Sequence, residues 1–335
     1  MPPLFLGSAM RDNLYITKYA LVGPQGIWPD LSCEASKKYT ITEADKRSVD
    51  YDLSNFIGSK GLRFHDKSSK LAMTAVRILL DNLDNIDRYT MEDLSVVVGS
   101  DGALTLQYQV VAEALNNPRM MNPRLYPNRG CNVIAGQISL MFGLHGESTV
   151  VSSGYNSGVD SLIYASRKCL INNTLSYVVA GGESIGKARH LRTSLRSSKD
   201  GDEVKEIEAG FACLVENQSI GNRTHNPKEW NITAFLQRSI PGKHIETAIS
   251  DFAVDNGFSM EEIHRCIYAV EGCGWIRNGS DIKPIPYDIY GGTILTAFFE
   301  SVSKPSSNGQ TMRCILANLD RHGMFSTVLL INHQN

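Results

Sequence analysis

Short apolar, β-branched runs alternate along this chain with longer stretches whose apolar residues recur at helical spacing. SVVVGS (95–100) is a continuous apolar run closed by Gly and Ser, the pattern of a buried strand. Helical spacing follows over 104–115. TVVSSG (149–154) predicts a second strand, with 157–171 as the helix after it. YVVAGGE (177–183) and GFACLVE (210–216) predict two more strands. The charged, Ser-rich stretch between them, 187–206, reads as a surface excursion. After a polar linker at 217–229 the rhythm restarts. Residues 231–239 predict a strand, 244–256 and 260–264 helical segments, and 266–272 a strand closed by glycine. A helix over 293–302 and closing strands over 313–320 and 326–332 complete the pass. This alternation predicts an α/β architecture with covered sheets. Two passes of one rhythm divide the chain into an N-terminal half, 1–217, and a C-terminal half, 218–335, with no repeat evident in the residues themselves.

Composition narrows the function classes. The chain has 335 residues, 42% of them hydrophobic, enough to bury a large core without covalent staples. Net charge is −2 and the charges are scattered, so no basic face points to nucleic acid or to an anionic membrane. The seven cysteines are odd in number and none forms a CxxC pair, which fits a reducing cytoplasm better than a disulfide scaffold or a zinc site. The opening MPPLFLGSAMRDN has no basic segment ahead of its short apolar patch, so no secretion signal is expected. No apolar run is long enough to span a bilayer. No GxGxxG follows a strand and no ligand spacing suggests a metal, so neither cofactor nor metal is expected. Cys131 and His145 could be imagined as nucleophile and base, but no third group orients them. Asp101 and Glu113 read as solvated charge.

The segment NVIAGQISLMFGLHGESTVVSSGYNSGVDSLIYASRKCL (132–170) closely resembles the nucleophile region of β-ketoacyl synthases. SYVVAGGES (176–184) resembles that family's strand ending in Gly-Gly-Glu. GLRFHDKSSKLAMTAVRILLDN (61–82) resembles its early surface helix, and EAGFACLVE (208–216) the strand closing its first half. The likeness is strong over 132–183 and weak beyond 217. It implies a thiolase-like fold, a five-layer α-β-α-β-α sandwich of two related halves. It also implies a dimer in which the nucleophile-bearing strands pair. In the family a cysteine at a helix N-terminus, activated by the helix dipole, attacks an acyl thioester. Two histidines then assist decarboxylation and stabilise the enolate.

Carried over position by position, the resemblance puts Tyr155 where the cysteine belongs. A phenol ionises near pH 10 and is a poor acyl acceptor. Tyr155 is then either a plug in a lost acyl site or an ordinary packing residue at a helix head. The first histidine position, in a His-Gly-Thr-Gly-Thr turn, becomes Glu271 in EGCGW, with Cys273 and Trp275 for the threonines. The second becomes Asp288 in KPIPYDIYGG, where Lys283 and Gly291 match the family's lysine and glycine. His244 and His264 offer no better match. After Asn318, LDRHGMF replaces a Gly-Phe-Gly-Gly gate, leaving Gly323 and a loop His322 without an assigned role. Nucleophile, histidines, threonines and gate change together while the surrounding scaffold residues stay.

Two functions remain. The first is a non-catalytic subunit resembling a chain-length factor, which would pair with an active ketosynthase as a heterodimer and shape the tunnel for the growing acyl or polyketide chain. It would meet acyl carrier protein mainly through that partner. The resemblance places tunnel and interface positions at Met120, Met121, Arg124, Tyr126, Asn128, Cys131, Asn132 and Tyr155. Met120 and Met121 would give a mouldable wall, or simply core. The family's factors commonly carry Gln at the Tyr155 position, and are longer. The second function is a stand-alone acyltransferase or malonyl decarboxylase using other residues. Against it, Glu271 and Asp288 would repel the enolate that the histidines should stabilise.

Overall fold

The computed structural model describes residues 14–24, 26–29, 47–60, 62, 65–83, 94–100, 114–120, 130, 132–172, 176–185, 205–217, 229–242, 244–270, 273–285, 287–302 and 311–332. In the first half the strands are β1 (Leu14–Gly23), β2 (Gly26–Pro29), β3 (Leu94–Gly99), β4 (Ser148–Val151), β5 (Ser176–Glu183), β6 (Lys205–Glu206) and β7 (Ala209–Asn217). In the second they are β8 (Trp230–Ser239), β9 (Arg265–Val270), β10 (Cys273–Asn278), β11 (Asp281–Pro284), β12 (Tyr287–Asp288), β13 (Met312–Leu319) and β14 (Met324–Asn332). The helices are α1 (Ser54–Ile57), α2 (Lys67–Asp81), α3 (Val133–Phe142), α4 (Ser157–Ile171), α5 (Ile245–Asp255) and α6 (Thr293–Val302).

The strand order β3-β5-β7-β1 in the first half reappears as β9-β13-β14-β8 in the second. The senses agree too. β3 runs parallel to β5, and β9 to β13; the next two pairings in each half are antiparallel. The halves join where β1 meets β8, at Tyr15–Asn231 and Ile16–Trp230. Three apolar clusters set the layers. One packs α2 and α3 on the outer face of the first half. One packs α4 and α6 between the inner faces of both halves. One packs α5 on the outer face of the second. The stack is helix, sheet, helix, sheet, helix, the expected five-layer α/β arrangement.

Each half opens with the same irregularity. In β1, Leu14 and Ile16 face the central layer, and so do Tyr19 and Leu21, so the parity of inward residues changes between them. The register skips Thr17 against β7, which makes Thr17 a bulge. In β8, Trp230 and Ile232 face the centre while Ala234 faces outward, and the register against β14 skips Thr233. An Ile-Thr pair followed two residues later by an aromatic, Tyr19 or Phe235, marks both sites. This is a repeat that hydrophobic rhythm alone does not show.

Three expectations change. The helix over 61–82 is not a surface helix: 11 of the 15 residues of α2 are buried. Glycines let it settle onto the sheet. A Cβ on Gly182 would lie 2.2 Å from the Ser68 carbonyl oxygen, and one on Gly210 2.4 Å from that of Leu71. Residues 260–264 form turns rather than helix. The Ser259 amide donates to Glu262 Oε2 at 2.8 Å and β9 begins at Arg265, leaving too few residues to nucleate a helix. The turn expected in EGCGW does not extend past residue 272: β10 begins at Cys273, which pairs antiparallel with Val270. Most of the 104–115 and 187–206 stretches lies outside the described residues.

Candidate functional site

The site begins where β4 runs into α4. Gly154 takes φ +64, a left-handed turn that glycine adopts freely, and a 3₁₀ turn, Gly154–Asn156, leads into the helix. Ser157 Oγ donates to the Gly154 carbonyl at 2.7 Å and accepts from the Ser153 amide at 3.0 Å. Tyr155, on this corner, is buried. Asn318 Nδ2, from the end of β13, donates to its carbonyl oxygen. Asn156 Nδ2 donates to the Met324 carbonyl at 2.9 Å. The head of α4 is thus tied at two successive residues to the β13–β14 hairpin of the other half.

Below this corner lies a buried carboxyl. Asp160, in the first turn of α4, accepts from Ser153 Oγ at 2.6 Å and from Ser326 Oγ of β14 at 2.5 Å. Burial raises its pKa, and the two hydroxyls offset that only in part. Beside it the heads of α4 and α6 touch at glycines. A Cβ on Gly158 would lie 2.5 Å from the Gly291 carbonyl oxygen, and one on Gly291 2.9 Å from that of Gly154.

The turn between β13 and β14, where the resemblance would place a gate, is clipped on three sides. Asp320 Oδ1 accepts from the His322 and Met324 amides, both at 2.8 Å. The Ile240 amide donates to the Gly323 carbonyl at 2.7 Å, and a Cβ on Gly323 would press on Pro241 at 3.1 Å. The Met324 carbonyl is held by Asn156.

The structure therefore joins Tyr155 and Asn318, which sequence spacing leaves 163 residues apart. Other expected positions lie elsewhere. Lys283 is exposed on β11 and pairs with Asp281 at 2.9 Å. Trp275 stacks on Tyr268 at 5.5 Å on the outer face of the second half, so its bulk is turned away from the central layer. Asp288 lies in β12, paired in register with Glu206. Asn132 is exposed just ahead of α3, and Met120 sits in a 3₁₀ turn, Pro118–Met120. Met121, Arg124, Tyr126, Asn128, Cys131 and Glu271 fall outside the described residues. Asp160 and Ser326 were missed by motif reading. The available signal was a carboxylate and a hydroxyl set inside otherwise apolar stripes.

Of the five described cysteines four are buried. Burial pushes Cys169 and Cys314 up to about 12, and Cys213 and Cys266 higher still. Cys273 is exposed, on the β10–β11 hairpin. No group of three or more His, Cys, Asp or Glu among them could hold a metal ion. No described helix is long and apolar enough to cross a membrane. A cavity of about 370 Å³ opens in the outer layer between α1 and α2, lined by Val49, Tyr51, Leu53, Leu62, Lys67 and Lys70.

One surface is unfinished. β4 ends the sheet order, with β3 its sole neighbour among the described strands. Leu140 of α3 and Ile171 at the end of α4 are 87% and 83% exposed.

Residues 30–193 match the β-ketoacyl synthase N-terminal domain family. This stretch, just under half of the chain, carries that family's domain. The 3-oxoacyl-[acyl-carrier-protein] synthase 2 of Vibrio cholerae is 25% identical over 138 residues, which is 40% of this chain and 33% of that protein. The match thus spans about a third of that curated relative's length. The ishigamide ketosynthase/chain length factor structure superposes with a TM-score of 0.71 at 18% identity, covering 95% of this chain and 99% of the other. The ketosynthase ApeO in complex with its chain length factor ApeC, from Xenorhabdus doucetiae, gives 0.63 at 12% identity, covering 95% and 98%. At these identities the likeness establishes the fold: this is a thiolase-like ketosynthase architecture.

Proposed function

We propose that the chain is a non-catalytic, chain-length-factor-like subunit. It pairs with an active ketosynthase in the cytoplasm and helps wall the acyl or polyketide tunnel. It meets acyl carrier protein mainly through that partner. The observation that carries the reading is the head of α4, where Tyr155, at the position the resemblance assigns to the nucleophile, is buried and tied by Asn318 to the opposite half. The clipped 320–323 turn supports it, since an acyl chain needs a loop that yields. The open edge of β4 supports a partner there, and the exposed Leu140 and Ile171 add apolar surface to be covered. Several structurally similar chains come from ketosynthase–chain length factor assemblies. The same reading divides the chain at 217/218 and assigns Met120, Met121, Arg124, Tyr126, Asn128, Cys131 and Asn132 to the tunnel and interface.

The test is co-expression with each cysteine-bearing ketosynthase of the source genome. A one-to-one complex is expected, with condensation lost when the partner's cysteine is removed. Condensation or decarboxylation of malonyl-carrier protein by this chain alone would replace the reading with a stand-alone enzyme. Tyr155→Cys should stay inactive, because Glu271 and Asp288 still stand where the family's histidines would act.

A further inference from the structure

Glu147 precedes β4 and is the most heavily gripped carboxylate on the open side of the sheet. Its Oε2 accepts from Tyr177 at 2.7 Å and from Lys168 Nζ at 2.9 Å. Its Oε1 accepts from Tyr164 and, at 3.3 Å, from Thr149. Its backbone is held as well: the amide donates to Ser95 Oγ at 2.9 Å and the carbonyl accepts from the Val96 amide at 2.8 Å. Tyr177 belongs to β5, two strands in from the edge, so the carboxylate spans beneath β3 and ties β4 to the sheet's interior and to α4. The Tyr164 ring meets Tyr177 edge-on at 6.4 Å, and Lys168 lies over it at 5.4 Å.

This is more than an exposed carboxylate needs. The Glu147 and Lys168 side chains are 34% and 37% exposed, and ion pairs so placed contribute little to global stability. Burial would raise the carboxyl's pKa, but the bonds from Tyr164, Tyr177 and Lys168 outweigh it and hold it at about 2. Tyr164 and Lys168 reach it from α4 and Tyr177 from β5, and all converge on the start of a four-residue strand with one neighbour among the described strands. Such a strand would otherwise fray, and a frayed edge must be reordered before another strand can add to it.

We propose that Glu147 is a positioning residue for subunit pairing: the cluster staples β4 in the shape that a partner strand requires. This rests on the subunit reading above. The experiment measures Kd for the ketosynthase used in that co-expression with wild type, Glu147→Gln and Tyr177→Phe. It adds hydrogen exchange of the peptide covering 147–153 in the isolated chains. Glu147→Gln should raise Kd about tenfold or more, speed exchange in that peptide, and leave exchange in β7 unchanged. Tyr177→Phe, a gentler change that keeps the ring, should move both readouts the same way by less. If wild type pairs and Glu147→Gln pairs with the same Kd, the inference falls while the subunit reading stands. A weaker complex that only follows a loss of folded protein would also overturn it. If wild type does not pair at all, the subunit reading fails first and takes the inference with it.

Discussion

Asn318 reaches across the two halves to the Tyr155 carbonyl, and it is buried where it does so. Removing it leaves that carbonyl without this donor, which costs about 1–3 kcal/mol. Asn318→Ala should therefore lower the denaturant midpoint with an unchanged slope, while Asn318→Ser recovers little because its hydroxyl is too short. Asp160 gives a pH signature. In the unfolded chain its proton leaves near pH 3.9. Burial raises the folded value, so between the two the folded state holds the extra proton. Stability is then fully present below the unfolded value and falls as pH rises through the folded one. Asp160→Asn should flatten that fall and be at least as stable as wild type near neutrality. Denaturation midpoints across acid to neutral pH check it, and a large loss in the variant at neutral pH would mean that the Ser153 and Ser326 bonds outweigh the burial. The strand-to-helix corner that carries Tyr155 was legible from its neighbours in sequence. Its partners were not, because Asn318 and Ser326 arrive from a strand pair that only the tertiary fold brings near.

Helices α4 and α6 were legible to the residue, since their apolar spacing starts at a glycine-rich turn and runs uninterrupted. The strand β1 was not, although all ten of its residues are buried. Thr17 and Lys18 interrupt its apolar run, and the bulge at Thr17 switches the inward parity, so neither alternation nor a continuous run is visible. Deleting Thr17 should turn Leu14, Tyr15 and Ile16 to the wrong faces and give an insoluble chain. Thr17→Val keeps the count and should fold with a modest loss, as it gives up the hydroxyl's bond to Glu216. Solubility and circular dichroism separate the two outcomes. Between helices the tight point is Gly158. Gly158→Ala places a methyl 2.5 Å from the Gly291 carbonyl oxygen and forces α4 and α6 apart. The expected cost is about 1–3 kcal/mol, read from thermal or denaturant unfolding.

At the scale of the molecule the long sheet has two ends, and they are built differently. β11 closes one end with Asp281, Lys283 and Pro284, two charges and a residue with no amide to donate, which discourage another strand from adding. β4 closes the other with Ser148, Thr149, Val150 and Val151, uncharged throughout and free of proline. An edge left unguarded on a soluble chain is an aggregation hazard unless a partner covers it. The exposed Leu140 and Ile171 make the same demand for cover. The two ends can be set against each other. Ser148→Lys puts a charge on the unguarded edge at an exposed position, so it should weaken the proposed ketosynthase complex by about tenfold or more while the isolated chain keeps its fold. Ile282→Lys adds the same charge to the guarded edge, where 51% of the side chain already meets solvent, and should leave the complex unchanged. Equal effects of the two substitutions would mean that pairing does not use β4, and the subunit would have to meet its partner through another face.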